Sequence, residues 1–486
     1  MSIEMAARSL DEDLLARELG NWRTSSASGP AYSGLADAIR LLIVDGRVPV
    51  GSRLPSERAL ADALRVSRTT VTAAFTQLRE DGYLLARRGA RSIAALPPRP
   101  MNEARQARPT EPTAGVNVSL AAAAMSAPSG AVLEAFAAAT RDITPYLGET
   151  GLDPTGVCAL RTAVAQRYCE RGLPTDPGQI MITSGAQHAI GLILAAFTEP
   201  GDRVLVEQPT YHGALSAIST ARARAVPVSL ADDGWELDAM HAAIRQLAPS
   251  LAYLIPDNHN PTGFTMPADE RIRLGHIISD TRTRTVIDES IMDMWMDEAP
   301  PAPLAATVAR RDLVLTVGSM SKSFWGGLRV GWIRAERHTL ATIAAIRPSV
   351  DLGTPILEQL TAARLLEQRD EVLAERRGLL RTRRAYLLDL LARRLPDWQP
   401  GPGPNGISLW VKLPAPMSTA LSASASRLGL DLPAGPRFGV DGTLERFVRV
   451  PYALPEAALE EAVDLMARAW GSITGAVEPE SHAVVV

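Results

Sequence analysis

Residues 313–329 read LVLTVGSMSKSFWGGLR, and the fold of the longer part of the chain turns on this stretch. Leu313–Val317 is a short apolar run rich in β-branched residues, which predicts a buried strand. It breaks at Gly318-Ser319-Met320-Ser321-Lys322, and Gly326-Gly327 and Arg329 follow. A lysine just beyond a strand end, with hydroxyls at two of the three preceding positions, is equipped to form a Schiff base with an aldehyde. Ser319, Ser321 and Arg329 suit a phosphate held beside it. Taken alone, such a lysine is more often a solvated surface group, so its neighbours have to decide.

Lysine is scarce in this chain. Among 486 residues there are 50 Lys+Arg against 54 Asp+Glu, a formal net charge of −4, and the only lysines are Lys322 and Lys412. Genome composition accounts for arginine wherever arginine serves, so each lysine raises the question of what only a primary amine can do. Lys322 has an answer; Lys412, in Leu409-Trp410-Val411-Lys412-Leu413, reads as a solvated strand end. With 46% hydrophobic and 21% charged residues, the chain is too long for one core, which rarely grows past roughly 250–300 residues, and two or more globular domains are expected. A collagen, a disulfide knot and a disordered tail are excluded. Met1–Gly20 lacks the basic start and apolar core of a secretory signal. The longest apolar stretch, around Ala189–Phe197, is about half of what a membrane helix needs. Cys158 and Cys169 form no metal-ligand pair. The expectation is a cytoplasmic protein with no membrane and no metal partner.

Working outward from Lys322, helical patterns alternate with short apolar runs at Val204–Val206, Leu251–Ile255 and Thr285–Ile287. That alternation predicts an α/β domain around a mostly parallel sheet, with ligands at the carboxyl ends of the strands. Polar clusters fall there. Asp288 closes one run, where a carboxylate can pair with a pyridinium nitrogen; in Asn258-His259-Asn260-Pro261-Thr262-Gly263, Asn260 can donate to a phenolic oxygen. Ser184-Gly185-Ala186-Gln187 lies between a strand and a helix, so its backbone N–H groups suit a phosphate. Glu207-Gln208-Pro209-Thr210-Tyr211 puts an aromatic ring at a further strand end, able to stack on a flat heterocycle. Each turn alone is ordinary loop chemistry. Together they suggest pyridoxal 5'-phosphate.

Pro100–Gly115, PMNEARQARPTEPTAG, has linker composition. We therefore expect an N-terminal extension (1–29), a small domain (30–96), a linker (97–115), a large domain (116–475) and a tail (476–486). Ala31–Pro100 holds eleven arginines against six acids, a polyanion footprint that the whole-chain charge conceals. Leu35, Ile39, Leu42 and Ile43 keep helical spacing; Pro55-Ser56-Glu57-Arg58 opens a second helix with Leu60 and Leu64 inside. Ser67-Arg68-Thr69-Thr70 starts a third, burying Val71, Ala74, Phe75 and Leu78, before a hairpin through Gly82–Leu85 and Arg87-Arg88-Gly89. This is a winged helix-turn-helix pattern for double-stranded DNA, with an ordinary three-helix domain as the alternative.

Residues 54–84, LPSERALADALRVSRTTVTAAFTQLREDGYL, resemble the DNA-binding domain of the GntR family. The resemblance implies DNA contacts at Arg58, Ser67, Arg68, Thr69 and Thr70, and a wing tip at Arg88-Gly89. From Val116 to about Trp470 the strand-end clusters resemble the aminotransferase fold of type I, which has a small C-terminal subdomain. That resemblance implies Lys322 as the catalytic Schiff-base lysine, Asp288 at the pyridine nitrogen, Asn260 at the phenolic oxygen and Tyr211 stacked on the ring. It implies phosphate contacts at Gly185, Ala186, Ser319 and Arg329, with Ser184 and Ser321 beside them. In Phe447-Val448-Arg449-Val450, Arg449 corresponds to the arginine that takes a substrate's α-carboxylate. Two hydroxyls of the family pattern are missing: Ser290 and Ile291 stand where a tyrosine is common, and Gly151 stands five residues before Gly156 where another is usual.

The two halves in this order resemble the MocR family of bacterial transcriptional regulators. The resemblance implies a head-to-tail homodimer whose large domain binds pyridoxal phosphate and senses an amine, an amino acid or the cofactor itself. The alternative is a working aminotransferase that carries a DNA-binding domain.

Overall fold

The structure is a computed structural model that describes residues 12–20, 22, 30–44, 48, 53–85, 91–95, 97, 118–231 and 234–475. The tail, the wing tip Arg88-Gly89 and all of the linker but Pro97 lie outside the described residues.

The small domain packs the helices Ala31–Val44, Glu57–Leu64 and Arg68–Glu80 around one core, with a ribbon of β1 (Leu84–Leu85) and β2 (Ile93–Ala94). Its turn follows from local chemistry. Ser56 caps the second helix by accepting from the Ala59 amide, and Arg65 ends it in the left-handed region at φ 52°. Ser67, extended at φ −69° and ψ 145°, then caps the third helix through the Thr70 amide. Leu35, Ile39, Ile43, Leu60, Val71, Ala74, Phe75 and Leu78 are buried as their spacing requires, and Leu64 packs at the edge of this core. The ribbon is antiparallel, Leu84 opposite Ala94, so the wing's returning strand lies beyond the Arg87–Gly89 stretch expected to form it. A helix at Glu12–Leu19 that the sequence reading passed over adds Leu15, Leu19 and Trp22 to the same core.

The large domain opens with β3 (Val118–Ser119). Its central sheet follows: β4 (Ile180–Thr183), β5 (Arg203–Gln208), β6 (Arg224–Ala231), β7 (Gly234–Trp235), β8 (Leu251–Leu254), β9 (Thr285–Asp288), β10 (Val314–Ser319) and β11 (Gly331–Arg334). The order across the sheet is β4-β11-β10-β9-β8-β5-β6-β7. The run from β10 through β9, β8 and β5 to β6 pairs in parallel, while β11 runs against both β4 and β10. Helices cover both faces, so β8, β9 and β10 bury every side chain and β5 all but its two ends: Leu205 enters one core, Val204 and Val206 the other. Strands dry on both faces read as unbroken apolar runs, which is why four were legible.

The C-terminal subdomain has its own core around an antiparallel sheet of β12 (Gln399–Pro400), β13 (Ser408–Lys412) and β15 (Phe447–Pro451). Lys412 is exposed at the end of β13. Between them, β14 (Leu430–Asp431) pairs in parallel with β3, so the first residues of the large domain belong to its last subdomain. No described helix is long and apolar enough to cross a membrane.

Candidate functional site

Parallel strands point their carboxyl ends the same way, so the turns after β4, β5, β8, β9 and β10 collect on one edge of the sheet. They enclose a cavity of about 230 Å³. Lys322, Asp288, Asn260 and Tyr211 line it, together with Ala186, Ser319, Ser321 and Arg329.

Lys322 sits half-buried on a single π-turn, Ser321–Trp325, directly after β10. Burial first, and the Arg449 charge second, press its pKa from 10.5 down to about 8 against the pull of Asp288. Its Nζ donates to the Ala123 carbonyl at 2.7 Å. The turn is anchored from below: Ser323 Oγ donates to Asp293 Oδ2 at 2.6 Å, and Asp293 pairs with Arg167 at 2.6 Å, all three buried. The Arg167 guanidinium holds the Asp293 carboxyl below its usual range despite burial.

Asp288, 5% exposed, closes β9. Burial pushes its pKa up, opposed by hydrogen bonds from Tyr253 Oη (2.6 Å) and the Ser290 amide (2.8 Å). The Ser290 hydroxyl, its oxygen buried, faces the same carboxylate. Of the two asparagines after β8, Asn258 is structural: its Nδ2 donates to the carbonyls of Ile291 and Met292, while Asn260 faces the cavity. Glu207, also fully buried, accepts from Trp235 Nε1 and the Ile255 amide and stands 3.3 Å from His259, locking β5 to β8 beneath the site.

Gly185, at φ +98°, precedes the helix Ala186–Phe197, and a Cβ there would come within 3.1 Å of Arg329 Nη2. Arg329 is exposed and donates to the Ser184 carbonyl at 2.8 Å. Ser319 Oγ accepts from the Ser321 amide at 3.1 Å. A left-handed glycine, a helix N-terminus, two hydroxyls and a guanidinium therefore converge on one corner, a layout suited to an anion.

Arg449 does not line the cavity. It is 2% exposed on β15, and its Nη2 donates to the carbonyls of Ala121 (2.5 Å) and Leu120 (3.3 Å). Its guanidinium lies 5.0 Å from the Phe438 ring centroid, and burial lowers its pKa to about 10. Ser290 and Ile291 line the wall, whereas Gly151 is exposed outside it. Sequence reading missed Tyr253 and Ala124. Tyr253 was signalled only by a hydroxyl inside an apolar run, and Ala124 by nothing.

In the small domain, Arg58 and Arg68, the arginines expected at DNA, are exposed. The Ser67 hydroxyl bonds those of Thr69 (2.8 Å) and Thr70 (2.7 Å), so the first turn of the third helix is a knit cluster of hydroxyls beneath Arg68.

A DNA-binding module joined to an aminotransferase fold is the class of protein these two sites define. The aminotransferase class I and II model matches residues 118–465, and the bacterial gntR regulatory model matches residues 31–92. The chain belongs to the aminotransferase class I and II family, whose cofactor is pyridoxal phosphate, and its GntR-type N-terminal domain makes it a transcriptional regulator of the MocR kind. It is 28% identical to the uncharacterized HTH-type transcriptional regulator YdcR of Escherichia coli (strain K12), over 86% of this chain and 94% of that one. It is 31% identical to the 2-aminoadipate transaminase of Thermus thermophilus, covering 69% and 85%. The crystal structure of LysN, an α-aminoadipate aminotransferase from Thermus thermophilus complexed with N-(5'-phosphopyridoxyl)-L-leucine, superposes with a TM-score of 0.69 at 27% identity, covering 75% of this chain and 94% of that one.

Proposed function

We propose that this regulator holds pyridoxal phosphate at Lys322 and uses it to sense a small amine or amino acid, changing how its DNA-binding domains are held. The observation that carries this is one cavity shared by a lysine of depressed pKa and a carboxylate at the end of the neighbouring strand. The residues fit the group. The anion corner at Gly185 and Arg329 is cleared by a missing Cβ, and a lysine and a carboxylate face one another across the cavity.

Asp288 would hold the proton of the pyridine nitrogen, Asn260 would donate to the phenolic oxygen and Tyr211 would cover the ring. Ser184, Gly185, Ala186, Ser319, Ser321 and Arg329 would bind the phosphate. Bound there, the cofactor supplies an aldehyde for amines and an electron-withdrawing ring. Lys322, partly neutral near pH 8, supplies the nucleophilic nitrogen. Arg449 would take an effector's carboxylate. It stands behind the cavity wall, so a carboxylate would reach it only as residues 120–124 give way; the buried Nε, which has no acceptor, supports that role.

The protein would act as a head-to-tail homodimer in the cytoplasm. Supporting this, Leu152 and Leu352 are exposed on two loops that touch where Gly353 meets the Asp153 carbonyl, with Leu147 and Val350 exposed alongside. Arg58, Ser67, Arg68, Thr69 and Thr70 would meet DNA, paired across the dimer on two half-sites.

The deciding experiment is an absorbance titration with pyridoxal phosphate together with an assay against several amino donors. A visible band lost in Lys322→Ala, shifting with amines but without product, is expected. No band would end the cofactor reading, and many turnovers at ordinary rates would replace the sensor with an enzyme.

A further inference from the structure

We infer that residues 120–124 form a strap that reports occupancy of the cavity to the DNA-binding domain; this rests on the cofactor reading above. The strap starts where the linker ends. β3 is zipped to β14, and the Leu120 amide donates to the Asp431 carbonyl at 2.8 Å. The chain then passes the cavity, with Ala124 in its wall, and is pinned again where Arg376 Nη1 donates to the Ser126 carbonyl at 3.0 Å.

Between those pins, two nitrogens of the site hold the strap. Arg449 Nη2 donates to the Leu120 and Ala121 carbonyls, and Lys322 Nζ to the Ala123 carbonyl. Local propensity does not favour this path. Ala121-Ala122-Ala123-Ala124 is a run of the best helix former, yet it is not helical here. Leu120 and Ala123 pack into the C-terminal core and the Ala121 amide donates to Ser119 Oγ at 3.3 Å, so those three hydrogen bonds are the part of the hold that the site's own nitrogens control.

The nitrogens that hold the strap are those the ligands need. Condensation of the Lys322 amine with an aldehyde forms one C=N bond and expels one water. The nitrogen keeps at most one N–H where the ammonium had three, and it can no longer turn freely toward the Ala123 carbonyl, so that bond is weakened or lost. A carboxylate on Arg449 competes with neutral carbonyls and makes bonds about twice as strong. Both events loosen the same few residues, and the chain before them leads to the DNA-binding domain. Coupling is reciprocal, so DNA that favours the held strap weakens the effector, and the converse.

The test is hydrogen exchange by mass spectrometry on the full chain, alone, with pyridoxal phosphate, and with pyridoxal phosphate plus alanine. Trypsin cleavage at Arg105 and Arg108 in the linker is followed in parallel. Exchange over residues 120–126 should quicken at least about threefold with the cofactor and further with alanine, and linker cleavage should change rate with it. Arg449→Gln should loosen the strap with nothing added. Lys322→Ala should do the same and no longer respond to cofactor, which guards against misfolding of either variant. A normal absorbance band with unchanged exchange would overturn the strap and leave the cofactor reading standing. Absence of the band would remove both. Faster exchange with an unchanged cleavage rate would show that the strap reports nothing beyond the cavity.

Discussion

Tyr253 Oη donates to Asp288 Oδ2 across 2.6 Å, joining adjacent parallel strands by a buried bond to the one carboxylate that faces the lysine's cavity. The hydroxyl offsets part of the cost of carrying a charge that burial opposes.

Tyr253→Phe should therefore destabilise the large domain by about 1.5–3 kcal/mol at neutral pH, as expected for a lost bond to a charged group. Burial has raised the Asp288 pKa, so its charged form is the costly one; that cost is present above the folded pKa and absent below the ordinary carboxylate value. The penalty should shrink as the pH falls. Urea unfolding of both proteins at about pH 8 and about pH 4 checks this, and equal penalties would reject it.

Lys322 should capture pyridoxal phosphate at a rate that climbs with pH and levels off above about 8. Only the neutral amine attacks. At pH 7 that form is about a tenth of the total, against about one part in 3,000 for a lysine of pKa 10.5. Arg449→Gln removes one of the two causes of the depression and should move the midpoint upward. Stopped-flow uptake across pH measures it; a rate still rising about tenfold per unit beyond pH 9 would mean an ordinary lysine.

Ser67→Ala and Arg68→Ala should separate capping from DNA contact. Losing the Ser67 cap should cost about 1 kcal/mol of small-domain stability, because the Thr70 amide loses its acceptor. Arg68→Ala should leave stability unchanged and weaken DNA binding by about 1–3 kcal/mol if it reads a base, or reduce the salt slope by about 1 if it meets a phosphate. Mobility shifts at several salt concentrations tell these apart.

Two glycine substitutions should act in opposite directions. Gly156 has φ +95°, and a Cβ would stand 2.5 Å from Ile182 Cβ, so Gly156→Ala should cost at least about 1–3 kcal/mol. Gly191 lies exposed within the helix Ala186–Phe197 with nothing within 4 Å, and Gly191→Ala should add about 0.5–1 kcal/mol. Thermal melts of both variants check the pair.

Much of the site was readable because its residues sit at strand ends. An apolar run followed by a polar turn survives in sequence, so Asp288, Asn260 and Lys322 could be picked out before any coordinates. Arg449 was readable only by resemblance, and its burial behind the cavity wall was not, since β15 pairs with a strand more than thirty residues earlier. The small domain was legible from helical spacing, but the helix Glu12–Leu19 was not, because two leucines a turn apart declare themselves only against a partner.

Sequence by itself determined the two-part organisation, the mostly parallel α/β sheet, the third helix of the small domain and which lysine is the candidate for the cofactor. These rest on local chemistry: helical period, dry strands, caps and the need for a primary amine. Tertiary structure alone decided that Tyr253 supports Asp288 and that Val118 pairs with Leu430. It also decided that the carbonyls of Ala121 and Ala123 hold Arg449 and Lys322. Those pairings join residues far apart in the chain, and backbone carbonyls are the same in every residue, so nothing in the side chains of an alanine run could announce them.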